Sequence, residues 1–139
     1  MPSKAPVQII LVEDNLGDVQ LLERTLKSRQ IAYKITRYED ADQAIEAMAG
    51  WDALCPDLIL LDLNLPRREG FDVLSRVRQR PGLVGIPIGV LTSSEAEKDR
   101  HRVALIGAER YIHKPPYWEQ FAREVGDAVE DLLAQADAV

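Results

Sequence analysis

Short apolar runs alternate with longer amphipathic stretches along the whole chain. Residues 7–12 predict a buried strand, since the run is rich in β-branched side chains and lacks polar alternation. Val19, Leu22 and Leu26 recur at helical spacing within 18–28, and Asp18 is placed to cap that helix. The same criteria predict further strands at 33–38, 57–63, 86–91 and 109–113, and further helices at 41–49, 71–80, 95–106 and 117–136.

Five strands alternating with five helices predict an α/β fold with a parallel sheet. No repeat, low-complexity segment or interdomain linker interrupts the alternation. We therefore expect a single domain over residues 1–139, with residues 1–6 as a flexible N-terminus and no output domain.

Composition narrows the class of protein. The net charge of −6 argues against non-specific nucleic-acid binding, which needs clustered Lys and Arg. The single cysteine, Cys55, excludes an intramolecular disulfide. No apolar run is long enough to cross a bilayer, and the N-terminus lacks the apolar stretch of a signal peptide. We expect a cytoplasmic protein that binds neither nucleic acid nor membrane.

Polar side chains follow four of the predicted strands. Glu13 and Asp14 come after the first, Asp62 lies at the end of the third, Thr92 follows the fourth and Lys114 the fifth. In open α/β sheets, ligands bind outside the carboxyl ends of the strands. The sequence therefore predicts a site made by these residues.

Each of these residues has a chemical and a plainer interpretation. Glu13 and Asp14 are hard oxygen ligands for Mg²⁺, or the start of a solvated loop. Asp62 is a nucleophile able to form an aspartyl-phosphate, or an exposed aspartate at a strand tip. Lys114 and Thr92 could bind phosphoryl oxygens, or be a loop lysine and a helix cap. Three close carboxylates carry about three negative charges, which one Mg²⁺ and one lysine would neutralise.

The chain resembles the response-regulator receiver family of two-component signalling over nearly its whole length. The resemblance implies a flavodoxin-like, doubly wound, five-stranded parallel sheet of order 2-1-3-4-5 with five helices. The matching segments are Val12-Glu13-Asp14-Asn15, Leu61-Asp62-Leu63-Asn64-Leu65-Pro66, Gly70, Leu91-Thr92-Ser93 and Tyr111-Ile112-His113-Lys114-Pro115.

The resemblance also implies roles for particular residues. Asp62 is the phosphoacceptor, Thr92 and Lys114 contact the phosphoryl group, and Tyr111 is an aromatic switch coupled to Thr92. Asn64 and Ser94 flank the path of the hydrolytic water, so we expect the phosphoryl group to be lost over minutes. The ligands of Mg²⁺, for which Mn²⁺ can substitute, are Glu13, Asp14, Asp62 and the backbone carbonyl of Asn64.

The implied function is a single-domain response regulator. It would take its phosphoryl group from a partner histidine kinase and signal through the face made by 95–106, 109–113 and 117–136. It would not be an enzyme, although it would phosphorylate itself from small donors and dephosphorylate itself. Glu13 to Asp18, followed by Leu21 and Leu22, is similar to stand-alone receivers that partner bacterial phytochromes. Lys114–Pro115 is expected to be cis, and Pro116 departs from the family, which more often has a bulky apolar residue there.

Two other functions compete with this one. A haloacid-dehalogenase-type phosphotransferase also forms an aspartyl-phosphate. That family has an Asp-x-Asp motif whose second aspartate acts as acid and base, and Asn64 at this position cannot transfer a proton. A degenerate receiver acting only as an interaction module usually lacks an acidic residue, the threonine or the lysine, all of which are present.

The last predicted helix has two apolar stripes, where a surface helix normally needs one. One stripe would pack on the sheet and the other on a second copy of the chain, giving a homodimer. The alternative is a helix covered wholly by its own domain. The predicted dimer contacts are Trp118, Phe121, Val125, Val129 and Leu133.

Overall fold

Five parallel strands form the centre of the molecule. The computed structural model describes residues 5–65, 70–93 and 97–137, without the side chains of 136 and 137. Within them the strands lie in the order β2-β1-β3-β4-β5, as predicted. The strands are β1 Val7–Val12, β2 Tyr33–Tyr38, β3 Leu58–Leu61, β4 Ile88–Thr92 and β5 Arg110–His113. The main helices are α1 Leu16–Ser28, α2 Ala41–Ala47, α3 Gly70–Arg78, α4 Glu97–Ile106 and α5 Trp118–Asp137.

The sheet is buried on both faces, which explains why its central strands are continuous apolar runs. Side chains alternate between the faces of a strand. Ile10 and Val12 of β1 therefore pack in one hydrophobic cluster with residues of α2, α3 and α4. Ile9 and Leu11 point the other way, into a second cluster with residues of α1 and α5.

A short helix between α2 and β3 was not predicted. After α2, a 3₁₀ turn at Met48–Gly50 leads into one helical turn at Trp51–Leu54. Trp51 is fully buried there and its ring stacks on Tyr38, with 5.6 Å between ring centroids. Its indole nitrogen donates a hydrogen bond to the Tyr38 hydroxyl at 3.1 Å, so the aromatic pair ties this turn to the end of β2.

The start of α1 corrects the prediction that Asp18 is its cap. Asn15 is the capping residue, because its side-chain oxygen accepts a hydrogen bond from the backbone N–H of Asp18 at 3.0 Å. Asp18 thus lies in the first turn, and its carboxylate is available for other contacts.

The predicted cis bond between Lys114 and Pro115 is also wrong. The described residues contain no cis peptide bond, so the Lys114–Pro115 bond is trans, the lower-energy isomer before proline. The chain still turns from β5 into α5 within a few residues, and α5 begins at Trp118.

Three of the five predicted dimer contacts on α5 are buried within the chain itself. Phe121, Val125 and Val129 are at most 1% exposed within the chain itself. The guanidinium of Arg24 in α1 lies 4.0 Å from the ring centroid of Trp118. The prediction that Phe121, Val125 and Val129 form a dimer contact is therefore corrected, because these three side chains pack inside the domain. Trp118 and Leu133 are half-buried, and their place in a dimer contact stays a prediction. The homodimer itself stays a prediction.

Arg29, at the end of α1, holds the two helices together. It donates hydrogen bonds to two backbone carbonyls of α5 at 3.2 Å and forms ion pairs with Asp127 and Glu130 at 2.9 and 3.1 Å. A Cβ atom at Gly126 would lie 2.1 Å from the Arg29 Nε, so a larger residue there would displace the guanidinium from its place across the helix. In the part of the chain that the structure describes, no helix is both long and apolar enough to span a membrane.

Candidate functional site

The predicted site residues meet at the carboxyl edge of the sheet. Backbone hydrogen bonds fix them in place, because the ladder of the parallel sheet continues one residue past the strands. The N–H of Asp62 donates to the carbonyl of Val12 at 3.0 Å, and the N–H of Lys114 donates to the carbonyl of Thr92 at 2.8 Å. Glu13 is held in the same way by β2. The positions of these side chains therefore follow from strand register, with little left to loop conformation.

Lys114 is the centre of the site. Its Nζ donates to Glu13 Oε1 at 2.5 Å, to Asp18 Oδ2 at 2.7 Å and to Asp62 Oδ2 at 3.1 Å. An ammonium group has three N–H donors, so each donor meets a different carboxylate. Burial tends to lower the pKa of Lys114, but the carboxylates outweigh it and raise that pKa above its ordinary value. Lys114 is therefore charged at neutral pH.

Three carboxylates at this edge could hold a metal ion. Glu13, Asp14 and Asp62 each offer one oxygen, and these oxygens all lie within 4.8 Å of one another. Glu13 and Asp62 are buried, whereas Asp14 is exposed and open to solvent. Burial, and next the charge of Asp62, raise the pKa of Glu13 to about 8, although Lys114 opposes the shift. The oxygen donors of the cluster fit a hard cation such as Mg²⁺ or Mn²⁺, whose charge would favour the ionised form of Glu13.

The two oxygens of Asp62 have different neighbours. Oδ2 faces Lys114, while Oδ1 accepts a hydrogen bond from the backbone N–H of Asn64 at 3.0 Å. The Asn64 side-chain amide in turn lies 3.4 Å from the hydroxyl of Thr92, as donor to acceptor. Thr92 is fully buried at the end of β4. The Asp62 carboxylate is therefore held by Lys114 and the Asn64 backbone, and Asn64 also contacts the Thr92 hydroxyl.

A glycine packs directly behind Asp62. A Cβ atom at Gly70 would lie 2.1 Å from the carbonyl oxygen of Asp62 and 2.9 Å from the Cα of Leu63. Both obstacles are backbone atoms, which cannot move aside as a flexible side chain can. Gly70 therefore lets α3 begin against the strand end that carries Asp62.

Two contacts of the site were missed from the sequence. Arg37, near the end of β2, donates to the backbone carbonyl of Glu13 at 3.0 Å and to that of Asp14 at 3.3 Å. Asp18 binds Lys114, although the two are 96 positions apart. Pairing of β1 with β2 would have suggested Arg37, but no local signal indicates the Asp18 contact.

The remaining predicted residues do not join the cluster around Lys114. Tyr111, in β5, is half-buried, and the guanidinium of Arg100 lies 4.7 Å from its ring centroid. Ser94 lies outside the described residues, so its expected role stays a prediction. Leu133 is partly buried and packs against the second hydrophobic cluster on α5.

Comparison with known proteins gives the family. The response regulator receiver domain family matches residues 9–125. The chain belongs to this family. The response regulator Rcp1 of Synechocystis sp. is 38% identical over 101 residues, which cover 70% of this chain and 69% of Rcp1. This receiver is therefore similar to a protein named as a response regulator over most of both lengths.

Solved structures agree with this membership. The phosphorylated cyanobacterial phytochrome response regulator RcpA superposes with a TM-score of 0.83 at 32% identity, covering 93% of this receiver and 95% of RcpA. The Mn²⁺-bound form of Rcp1 gives a TM-score of 0.79 at 31% identity, covering 91% and 93%. Receiver domains are phosphoacceptors that are not generally classed as enzymes, and they bind Mg²⁺ or Mn²⁺ at an acidic site.

Proposed function

We propose that Asp62 accepts a phosphoryl group from a partner histidine kinase, in a reaction that depends on Mg²⁺. The observation that carries the proposal is the contact of Lys114 with Asp62 inside a cluster of carboxylates. Glu13, Asp14 and Asp62, with the carbonyl of Asn64, would hold the cation. When bound, Mg²⁺ would supply positive charge against the phosphoryl oxygens.

The chemistry requires a carboxylate oxygen of Asp62 to attack phosphorus. The P–O bond to Asp62 forms as the P–N bond to the kinase histidine breaks, and the imidazole leaves with the electron pair. Lys114 Nζ is 3.1 Å from Asp62 Oδ2 before the reaction, so it is close to where a phosphoryl oxygen would lie. Thr92 supplies a hydroxyl at the same edge, close to Asn64.

The partner is proposed from the relatives. Rcp1 and RcpA are both response regulators, and RcpA is a phytochrome response regulator by its description. RtBRR, at 31% identity and a TM-score of 0.70, is described as a bacteriophytochrome response regulator. We propose that the kinase of this chain is of the same kind, a histidine kinase with a phytochrome sensor.

The output is proposed to be a change at the face made by α4, β5 and α5. Thr92 lies at the end of β4, and Tyr111 lies on the neighbouring strand β5. A phosphoryl group that draws the Thr92 hydroxyl toward Asp62 would replace its contact with Asn64. Tyr111 would then turn inward, and Arg100 of α4 would lose its contact with the ring.

Substitution of the acceptor tests the proposal. Asp62→Asn keeps the shape of the side chain and removes the nucleophile, so we expect no incorporation from acetyl phosphate or a phosphorylated kinase. Intact-protein mass spectrometry would measure it. Asp57→Asn is a matched control, because Asp57 lies at the opposite end of the same strand, where it accepts a hydrogen bond from Gln8. Undiminished labelling of Asp62→Asn would contradict the proposal.

A further inference from the structure

One carboxylate at the site lies outside the cluster that could hold a metal. Asp18 is in the first turn of α1, and its Oδ2 accepts a hydrogen bond from Lys114 Nζ at 2.7 Å. The group of oxygens within 4.8 Å of one another is made by Glu13, Asp14 and Asp62, without Asp18. Among the hydrogen bonds of its side chain that the structure describes, Lys114 provides the link between Asp18 and the reacting centre.

Local structure holds Asp18 in this position. Asn15 accepts a hydrogen bond from the Asp18 backbone N–H, and the Asn15 N–H donates to Glu13 Oε2 at 3.3 Å. A Cβ atom at Gly17 would lie 3.1 Å from the same Asn15 side-chain oxygen, so glycine leaves room for the cap. The turn from Glu13 to Asp18 is therefore one bonded unit, with both of its end carboxylates on Lys114.

We infer that Asp18 is a positioning residue that aims Lys114 at Asp62 for phosphoryl transfer. The inference rests on the proposed function. The three donors of an ammonium group point in different directions, so two of them fixed by Glu13 and Asp18 determine the direction of the third. That third donor meets Asp62 Oδ2. A phosphoryl group on Asp62 can then be met without a rearrangement of the lysine, which is how fixed groups accelerate a reaction.

Asp18 has a cost as well as a benefit. It adds a negative charge beside a site whose incoming group is itself an anion. The charge and the hydrogen bond can be separated by two substitutions. Asp18→Asn keeps a side-chain oxygen that can accept from Lys114 and loses the charge. Asp18→Ala loses both.

The experiment is Mg²⁺-dependent labelling at varied concentrations of acetyl phosphate. Both variants should show a KM lower by roughly twofold to fivefold, since one repelling charge is gone. Asp18→Ala should also show a maximum labelling rate lower by roughly fivefold to tenfold, since Lys114 is no longer aimed. Asp18→Asn should recover most of that rate. Glu46→Gln, an exposed carboxylate on α2, removes the same charge away from the site and should change neither constant.

A second measurement works without any phosphoryl donor. The ¹⁵N resonance of the Lys114 ammonium group should be sharp in the original protein and in Asp18→Asn, and broadened in Asp18→Ala. Equal maximum rates for Asp18→Ala and the original protein would overturn the inference alone. An original protein that takes up no label would overturn the proposed function and the inference together, even with a sharp Lys114 resonance.

Discussion

Strand β5 has a cluster of charged groups at each end, and the two clusters are built differently. At its start, Arg78 of α3 donates from one nitrogen to both oxygens of Glu109 at 2.6 Å. The same Glu109 accepts from the N–H of Ile88 at 2.6 Å, and Arg78 also donates to the carbonyl of Gly107 at 2.7 Å. One cation meets one anion, and the remaining hydrogen-bonding capacity goes to the backbone.

At its other end, Lys114 meets Glu13, Asp18 and Asp62, and Asp14 stands beside them. Lys114 therefore faces four carboxylates, while the nearby Arg37 donates to the backbone carbonyls of Glu13 and Asp14. Burial, and next the charge of Asp62, raise the pKa of Glu13 to about 8. A cluster with equal positive and negative charge can stabilise the fold by itself. A cluster with excess negative charge can bind a cation from solution. Charge balance therefore separates the structural end of β5 from the functional end.

Metal removal should have the largest effect, which we expect on the chemistry of the Lys114 cluster and not on the cluster of Arg78 and Glu109. In excess EDTA, we expect the rate of Asp62 labelling by acetyl phosphate to fall by about three orders of magnitude, since the carboxylates would repel the donor. Excess Mg²⁺ or Mn²⁺ should restore the rate. Equal rates with and without EDTA would show that Lys114 alone balances the site, and the contrast between the two clusters would be lost.

Breaking the balanced cluster should affect stability and not chemistry. Arg78→Ala leaves Glu109 without its cation and the Gly107 carbonyl without its donor, so we expect a loss of about 2 kcal/mol in the free energy of unfolding. Urea denaturation would measure the loss. Labelling per folded molecule should stay unchanged. A fall in labelling at full folding would mean that the two ends of β5 are coupled.

The pH dependence of stability should arise from Glu13, in the cluster around Lys114. Between the ordinary pKa of Glu13, 4.5, and its folded value of about 8, the folded protein holds a proton that the unfolded chain releases. The stability that this proton gives is complete below the lower value and is lost as pH rises through the upper one. We therefore expect the metal-free protein to unfold at lower urea concentration at pH 8 than at pH 5.

Glu13→Gln is the control for that slope. The amide cannot titrate, so the difference in unfolding free energy between this variant and the original protein should change with pH in EDTA. Saturating Mg²⁺ should stabilise the original protein more at pH 8 than at pH 5, because the metal replaces the proton. A pH-independent difference would show that Glu13 is already ionised beside Lys114.

The smallest expected effect is that of Glu109→Gln. The amide oxygen can still accept from the N–H of Ile88, while the charge opposite Arg78 and one of its two acceptor oxygens are lost. We expect a cost of about 1 kcal/mol by urea denaturation. The pH slope seen in EDTA should survive this substitution. If it disappears, the slope does not arise from Glu13.

The strands and the main site residues could be predicted from the sequence because both depend on local pattern. Apolar runs mark the central strands, and the rule for parallel sheets then places Glu13, Asp62, Thr92 and Lys114 at one edge. The short helix at Trp51–Leu54 has only four residues, too few for a periodic pattern.

Other features depend on contacts between distant parts of the chain. Asp18 has the sequence position of a helix cap, but its carboxylate accepts a hydrogen bond from Lys114, which follows the distant strand β5. The two apolar stripes on α5 do not indicate how far each is covered. Phe121 and Val125 are buried, whereas Trp118 is half-buried beside Arg24 of α1. The pair of Arg78 and Glu109 also joins distant positions, and nothing in the local sequence marks either residue.

Because α1 and α5 pack on the same face of the sheet, the order in which they are synthesised affects how the nascent chain folds. The face closed by α2, α3 and α4 can be completed once β5 has emerged. The other face, with Ile9 and Leu11, has α1 from the start but waits for Phe121, Val125 and Val129 of α5. Until then its apolar side chains are open to water, as in other chains whose long-range contacts form late. We therefore expect this face of the nascent chain to close only after α5 has emerged.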